Sequence, residues 1–492
     1  MRVGVIELIC DTAPTRGPLA FFELALCQQT YSIMPQVVAV WCRRRGHAVY
    51  YGTYYGQSSP ESLLPSDLDC VFISAHTASS ALAYALSALL RRRGTRTILG
   101  GPHAAAFGVE ALPYFDAVVS TCNEDTVDRL VGGDMDGGVV DIPSSEQIQI
   151  PSVAERWDDI SVAAFQRGHP RPYSVISIYA SLGCPYRCDF CVDWKSTYRP
   201  LARNDLLLDL KTIRKRAPGN FIAFHDPNFG IKFDDTLDCI EEAGEERCNP
   251  YGMEASLSIL KPGRLDRLRR TNCVFIPTGV ESWSDYNAKV AVKSTSPEKK
   301  FAEIAAHFRL LEEHIPYLQA NFILGLDNDR GEVPFELTRR FVQEFPSIFP
   351  AVNVPIPYGG TPMFDRMTSD GRLLGGLPSM FFFAPMLVLR MQNYEPVEYF
   401  RRMRSLYRSI SGLKATWSRI QRGSMAVRIL NAARGISVRS QLRRLAWLEH
   451  LATNDESVRR FYDGKSTEVP GPFAAILKAR LGPYFDLLGR RA

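Results

Sequence analysis

The chain has 492 residues, too many for one ordinary hydrophobic core, so two or three domains are expected. Apolar residues make up 46% and charged residues 23%, a balance that excludes a disordered or low-complexity chain. The formal charge of +5 hides an asymmetry: residues 401–450 carry twelve Lys/Arg against one acidic residue, Glu449, which leaves the remainder net acidic.

The amino-terminal "MRVGVIELICDTAPTRG" lacks the charged flank, long apolar stretch and small-residue cleavage site of a secretory signal, and reads as mature sequence. Strand-like runs then alternate with helix-like ones. "RVGVIELI", "HAVYYGTYY", "DCVFISAH", "TRTILGG" and "FDAVVST" read as strands, with helices over 32–46, 79–94 and "EDTVDRLVG" between or after them. Such alternation predicts a Rossmann-like, doubly wound α/β sheet over residues 1–140, with ligands at the carboxyl ends of its strands. Gly, Pro and Ser accumulate over 141–172, which reads as a linker. A second series follows over 173–395: "SVISIYASLG", "FIAFHDPNFG", "GMEASLSI", "CVFIPTGVES", "LQANFILGLD" and "AVNVPIPYGG". Six strand-helix units predict a partial (β/α)6 barrel, since a closed one has eight. The greasiest stretch, "MFFFAPMLVL" at 380–389, is well short of the roughly 20 residues that cross a bilayer. Residues 396–492 read as a basic helical domain. All eleven cysteines lie at or before Cys273, an odd number without a pairing pattern, which favours free or metal-bound thiols in a reducing cytoplasm.

Three of those cysteines crowd into "SLGCPYRCDFC", as Cys184, Cys188 and Cys191, just after the first strand of the second series. A loop with C-x3-C-x2-C spacing can wrap three soft sulfur ligands around one corner of an iron-sulfur cube and leave one iron open. A zinc site is the rival reading, but zinc normally takes four ligands in paired spacings and no second pair is near. Three merely buried cysteines would not explain the crowding.

The motif, with Phe190 before its last cysteine, resembles the signature of radical SAM enzymes. That resemblance spans about 175–365. It implies a 4Fe-4S cluster on Cys184, Cys188 and Cys191, with S-adenosylmethionine (SAM) on the open iron, cleaved by an electron to a 5′-deoxyadenosyl radical. It also implies SAM contacts from Phe190, from Asp226 in "FHDPNFG", from Gly279, Glu281 and Ser282 in "IPTGVES", and from Gly360 and Thr361 in "YGGTPMF". The family's Gly-Gly-Glu pattern is absent. Over residues 1–135, "FISAHTASS", "TILGGPHAAAF" and "FDAVVSTCNEDT" resemble the cobalamin-binding domain that precedes the barrel in one large subgroup. This implies a nucleotide-tail groove lined by Ser74, Thr77, Gly100, Gly101 and His103. The cobalt-ligating Asp-x-His-x-x-Gly motif is missing, so His76 and His103 read as groove or strand-end residues.

The expected function is a cytoplasmic, cobalamin-dependent radical SAM methyltransferase acting on an unactivated carbon of a small-molecule or lipid-like metabolite. An external electron donor such as flavodoxin or ferredoxin would serve it. Radical cyclisation, rearrangement or oxidation without methyl transfer is the alternative, as is a non-catalytic iron-sulfur electron-transfer or sensing protein. No catalytic side chain stands out. The Arg-rich helices beyond 400 read as a cap with its apolar side on the barrel and its arginines solvated, or else as a peripheral contact with an anionic membrane. No nucleic-acid-binding module is present.

Overall fold

A computed structural model describes residues 1–14, 31–143, 148–166, 169–170, 174–244, 248–284, 296–421 and 425–488. Its first sheet has six parallel strands: β1 (Arg2–Leu8), β2 (Ala48–Tyr54), β3 (Cys70–Ala75), β4 (Arg96–Gly100), β5 (Ala117–Val119) and β6 (Val139–Val140), in the order β2-β1-β3-β4-β5-β6. β1 is apolar almost throughout because helices cover both faces. Val3 and Val5 pack with Val37 and Trp41 of α1 (Met34–Arg44) and with Leu130 of α4 (Glu124–Gly132). Ile6 and Leu8 face α2 (Ser80–Arg92) and α3 (Pro102–Ala111) on the other side. The order reverses between β1 and β3, the switch point where such sheets open a crevice at their strand ends.

The interval 141–172 contains a helix, α5 (Trp157–Ala164), which is tied to α1 by Arg43 donating to both carboxylate oxygens of Asp159. The second sheet follows as β7 (Val175–Ile178), β8 (Phe221–Phe224), β9 (Tyr251–Met253), β10 (Cys273–Glu281), β11 (Tyr317–Ile323) and β12 (Phe349–Asn353). All are parallel and adjacent in chain order, the six strands read from the sequence. Between them run α6 (Arg203–Arg216), α7 (Phe233–Gly244), α8 (Pro262–Arg270), α9 (Pro297–Glu312) and α10 (Val333–Glu344), and α11 (Pro362–Ser369) follows β12. The period of two sorts each strand. In β11, Leu318, Ala320 and Phe322 are buried under the helices, whereas Gln319, Asn321 and Ile323 turn inward and stay half-buried.

Helices α12 (Pro396–Ile410), α13 (Leu413–Gln421), α14 (Met425–Asn454), α15 (Glu456–Tyr462) and α16 (Gly471–Leu481) complete the chain. Tyr399 and Tyr407 of α12 donate their hydroxyls to the Leu324 and Val352 carbonyls at 2.6 and 2.9 Å, fastening the region to the barrel.

The two sheets meet along a close seam. A Cβ on Gly359 would lie 1.9 Å from the Ala106 carbonyl oxygen of α3, so only glycine lets the backbones approach. Phe107 of α3 packs edge-on against Phe364 and Phe382 at 5.9 and 5.3 Å between ring centres. Gly359→Ala is therefore expected to destabilise the fold by about 1–3 kcal/mol, read as a lowered midpoint in chemical denaturation. Gly263→Ala, in the first turn of α8 with nothing within 4 Å of the added Cβ, is expected to leave the midpoint no lower and to raise it slightly through helix propensity.

Candidate active site between two strand edges

The cysteine loop begins where β7 ends, and it is held by neighbours rather than by itself. Asp226, directly after β8 and 2% exposed, accepts the Ala180 N–H at 2.9 Å and the Ser181 hydroxyl. Ser181–Leu182 pairs antiparallel with Arg199–Pro200, closing the loop at its base. Between them Gly183 has φ +69°, and a Cβ there would lie 2.3 Å from the Thr197 carbonyl oxygen. The far side is pinned to the start of α11. Trp194 Nε1 donates to the Gly360 carbonyl at 2.7 Å, Met363 N–H to the Asp189 carbonyl at 3.0 Å, and Arg366 to the Asp189 carboxylate at 2.9 Å. Tyr186 and Ser258, after β9, share a hydrogen bond at 3.2 Å.

Cys184 and Cys188 are buried, Cys191 is half-buried, and the Cys191 N–H donates to the Cys188 carbonyl at 3.1 Å. Among the described residues no three His, Cys, Asp or Glu side chains gather as a metal-ion set. An iron-sulfur cube differs from a single ion in binding each cysteine through its own iron, so its ligands stand around it rather than meeting at a point. Three soft sulfurs on one short, externally braced loop fit that group chemically.

The structure distributes the residues named for SAM along neighbouring strand ends. Phe190 packs with Leu326, Met363, Met367 and Leu389 in a small apolar cluster beside the loop. A bulge falls between Gly279 and Glu281 in the β10–β11 pairing; Glu281 takes φ +62°, and its carboxylate folds over Gly279, where a Cβ would stand 2.1 Å from it. Ser282 is fully buried and turned away from the lumen, donating to Asp329 at 2.7 Å. Asp329 also accepts the Gly325 and Leu326 N–H groups, tying the ends of β10 and β11 together. Lys300, 2% exposed, donates to the Ser282 and Ser284 carbonyls beside it. Gly360 has φ +75°, and Thr361 caps α11 by accepting the Phe364 N–H at 3.2 Å.

On the facing sheet, Gly101 (φ +86°) presses on the end of β3, its missing Cβ 2.8 Å from Ser74 Oγ, while Gly100 faces open space. Ser74 is half-buried and Thr77 buried at the start of a short 3-10 turn. His103 lies in the interior rather than on a groove surface. It is fully buried in α3, shares a hydrogen bond with the Tyr84 hydroxyl at 2.6 Å, and is pushed down to about 4 by burial. The helix period accounts for this, because position 103 falls on the face of α3 that packs on α2.

Two histidines connect the edges. His76 follows β3 at the switch point, and His225 follows β8 beside Asp226. His225 shares a hydrogen bond with Ser177 Oγ at 3.2 Å, and that hydroxyl also lies 3.2 Å from the Tyr31 carbonyl. Burial, with the proximity of His76, pushes His225 down to about 4, and burial lowers His76 too. His76 itself is exposed. Both imidazoles are neutral at pH 7. His225 and Asp329 were missed from sequence because each is a lone polar residue after a strand, and Lys300 because it sits in the charged first turn of α9; "FHDPNFG" and "GLDNDR" held the signal for the first two in polar text directly after apolar runs. A small apolar cavity lined by Leu210, Ile222, Ile240 and Tyr251 lies behind the strands and contains none of these groups.

Burial raises Asp226 to about 6, opposed by the Ala180 and Ser181 hydrogen bonds. Its folded value thus exceeds its unfolded one, so its contribution to stability is complete at low pH and lost as pH rises through about 6. Asp226→Asn is expected to flatten that part of the stability profile, measured by urea unfolding of the metal-free protein from pH 4.5 to 7.5.

No family model matches the chain. It is 25% identical over 325 residues to the bacteriochlorophyllide d C-12(1)-methyltransferase of Chlorobaculum tepidum, covering 63% of this chain and 68% of that one. It is 24% identical over 288 residues to the hopanoid C-2 methylase of Rhodopseudomonas palustris, covering 56% and 53%. Among solved structures, the cobalamin-dependent SAM radical enzyme OxsB with aqua-cobalamin bound superposes with a TM-score of 0.59 at 12% identity, over 99% of this chain and 80% of its own. The radical SAM methyltransferase TsrM of Kitasatospora setae, with tryptophan and a SAM analogue bound, superposes at 0.51 and 15% identity, over 77% of each. A six-stranded parallel barrel carrying a braced three-cysteine loop, with a doubly wound sheet facing it, is the fold this chain shares with those two solved enzymes.

Proposed function

We propose that the chain methylates an unactivated carbon of an apolar small molecule, using a 4Fe-4S cluster, SAM and cobalamin. The observation that carries this reading is that the strand-end regions of the two sheets touch, at Gly359 against Ala106 and Ser177 against Tyr31, with His76 after β3 near His225 after β8. When bound, these groups supply a 5′-deoxyadenosyl radical to remove hydrogen and a methyl group to replace it. Relatives that act on a bacteriochlorophyllide and a hopanoid support a large apolar substrate.

The chain's own residues then hold, orient and exclude. Cys184, Cys188 and Cys191 hold the cluster, and Asp226, Trp194 and Arg366 set the position of their loop. Phe190 and the Gly279–Glu281 bulge border the place of SAM. Gly100 leaves a strand end bare for the flat face of a corrin or its tail, and Ser74, Thr77 and Gly101 frame that end. The neutral imidazoles of His76 and His225 add hydrogen-bonding capacity without charge between the two cofactors. Inward-facing Gln319 and Asn321, themselves hydrogen-bonded at 2.7 Å, give the lumen a polar band for orienting substrate. Hydrogen-atom removal by a carbon radical needs no protein base. A one-electron donor of the flavodoxin or ferredoxin type, in a reducing cytoplasm, completes the cycle.

Anaerobically reconstituted protein given reductant, cobalamin, SAM and candidate tetrapyrrole or polycyclic isoprenoid substrates is expected to yield 5′-deoxyadenosine and S-adenosylhomocysteine together, with a product heavier by one CH2. 5′-Deoxyadenosine without the homocysteine product would mark cyclisation or oxidation instead. The Cys184→Ala/Cys188→Ala/Cys191→Ala protein is expected to lose its cluster iron and all 5′-deoxyadenosine formation; full iron content in that variant would overturn the assignment.

A further inference from the structure

Much of the basic tail is the expected cap, with Leu406, Ile410, Leu445 and Leu448 buried and Arg408, Arg439 and Arg443 exposed, but one stretch departs from it. Arg419 is 5% exposed and donates Nε–H to the Ala415 carbonyl at 2.9 Å. Arg434 stacks over Phe349 and Tyr317, at 4.5 and 5.2 Å from the ring centres, and donates to Gln319. Five apolar side chains are outside in this stretch: Leu413 and Trp417 on α13, and Met425, Ile429 and Ile436 on α14, between 44% and 85% exposed. Their spacing, i and i+4 on one helix and i, i+4 and i+11 on the other, makes a stripe along each. Asn431 Nδ2 donates to the Arg419 carbonyl at 2.7 Å and Thr416 meets Gly435, so the helices are packed side by side. Five of the twelve exposed large apolar side chains among the described residues lie on this pair, which rules out even scatter.

Charge identifies what covers the stripe. From Tyr399 to Leu448 the sequence contains no Asp or Glu. Lys414, Arg439 and Arg443 are exposed, with no carboxylate partner among the described residues. A second copy of the chain would bring the same positive charge against itself. An anionic lipid surface instead accepts Trp and Leu at its acyl boundary and attracts Lys and Arg at its headgroups. No helix among the described residues is long and apolar enough to cross a membrane, so the contact is one of lying on the surface.

We propose that α13 and the first half of α14 form a docking face for an anionic bilayer. The face sits by Phe275, Tyr317 and Phe349, near the starts of β10 to β12, and so at the opposite end of the barrel from the cysteine loop. It does not depend on the reaction proposed above.

The test is cosedimentation of the full chain with vesicles of phosphatidylcholine, alone or mixed with phosphatidylglycerol, at low and high salt. Binding is expected only to the mixed vesicles and to weaken with salt. Trp417→Ser and Arg439→Glu are each expected to weaken it about fivefold or more, with thermal unfolding unchanged because both side chains are exposed. Three results would overturn the proposal: no binding to mixed vesicles, equal binding to both kinds, or binding untouched by either substitution in a protein that still unfolds normally. Concentration-dependent self-association abolished by Trp417→Ser would assign the stripe to a second copy instead.

Discussion

The structure depends on two parallel sheets presenting their carboxyl-terminal edges to one gap. In a parallel sheet all strand ends of one polarity lie on one side, so whatever loops perform chemistry gather there. Setting two such edges against each other requires the backbones beside the gap to touch. The touching is done by Gly359 against Ala106, by Phe107 between Phe364 and Phe382, and by Tyr31 against Ser177. Larger residues at Gly359 would hold the edges apart.

The same arrangement explains how a short cysteine loop acquires a definite shape. A loop of this length has too few internal hydrogen bonds to order itself, and ordering a residue costs about 1–2 kcal/mol in backbone entropy. Here the partners come from three other strand ends: Asp226 after β8, Ser258 after β9, and the Gly360 to Arg366 segment after β12. Asp226 is raised by the burial that this bracing demands, which makes the brace itself sensitive to pH. The Ser282–Asp329–Gly325 link does for β10 and β11 what Asp226 does for β7 and β8.

Twelve strands form the two sheets, and eleven were legible as apolar runs, which report burial directly, although "GMEASLSI" shares only Gly252 and Met253 with β9 and runs on into a turn. The exception, β6, is two residues, Val139 and Val140, inside glycine-rich text that carries no period. The cysteine loop was legible because three thiols at fixed spacing have few other uses. What the sequence could not convey was pairing across distance. Gly359 reads like any glycine until Ala106 is found against it. His225 reads as a lone polar residue until β8 places it opposite His76. The arginines of the tail read as solvated, since most are, yet Arg434 found three aromatic rings at the foot of the strands, whose faces offset part of the desolvation that lowers its pKa there. With the arginine inside, the apolar stripe was left outside.

The central claim is that one gap receives both an iron-sulfur cluster and cobalamin, each on its own sheet. Anomalous diffraction from crystals of the anaerobically loaded protein, collected at the iron, cobalt and zinc edges, tests it most directly. The account predicts iron against Cys184, Cys188 and Cys191, and cobalt facing it across the gap beside His76 and the end of β3. Zinc at the cysteines, or cobalt bound anywhere but between the two strand edges, would contradict it.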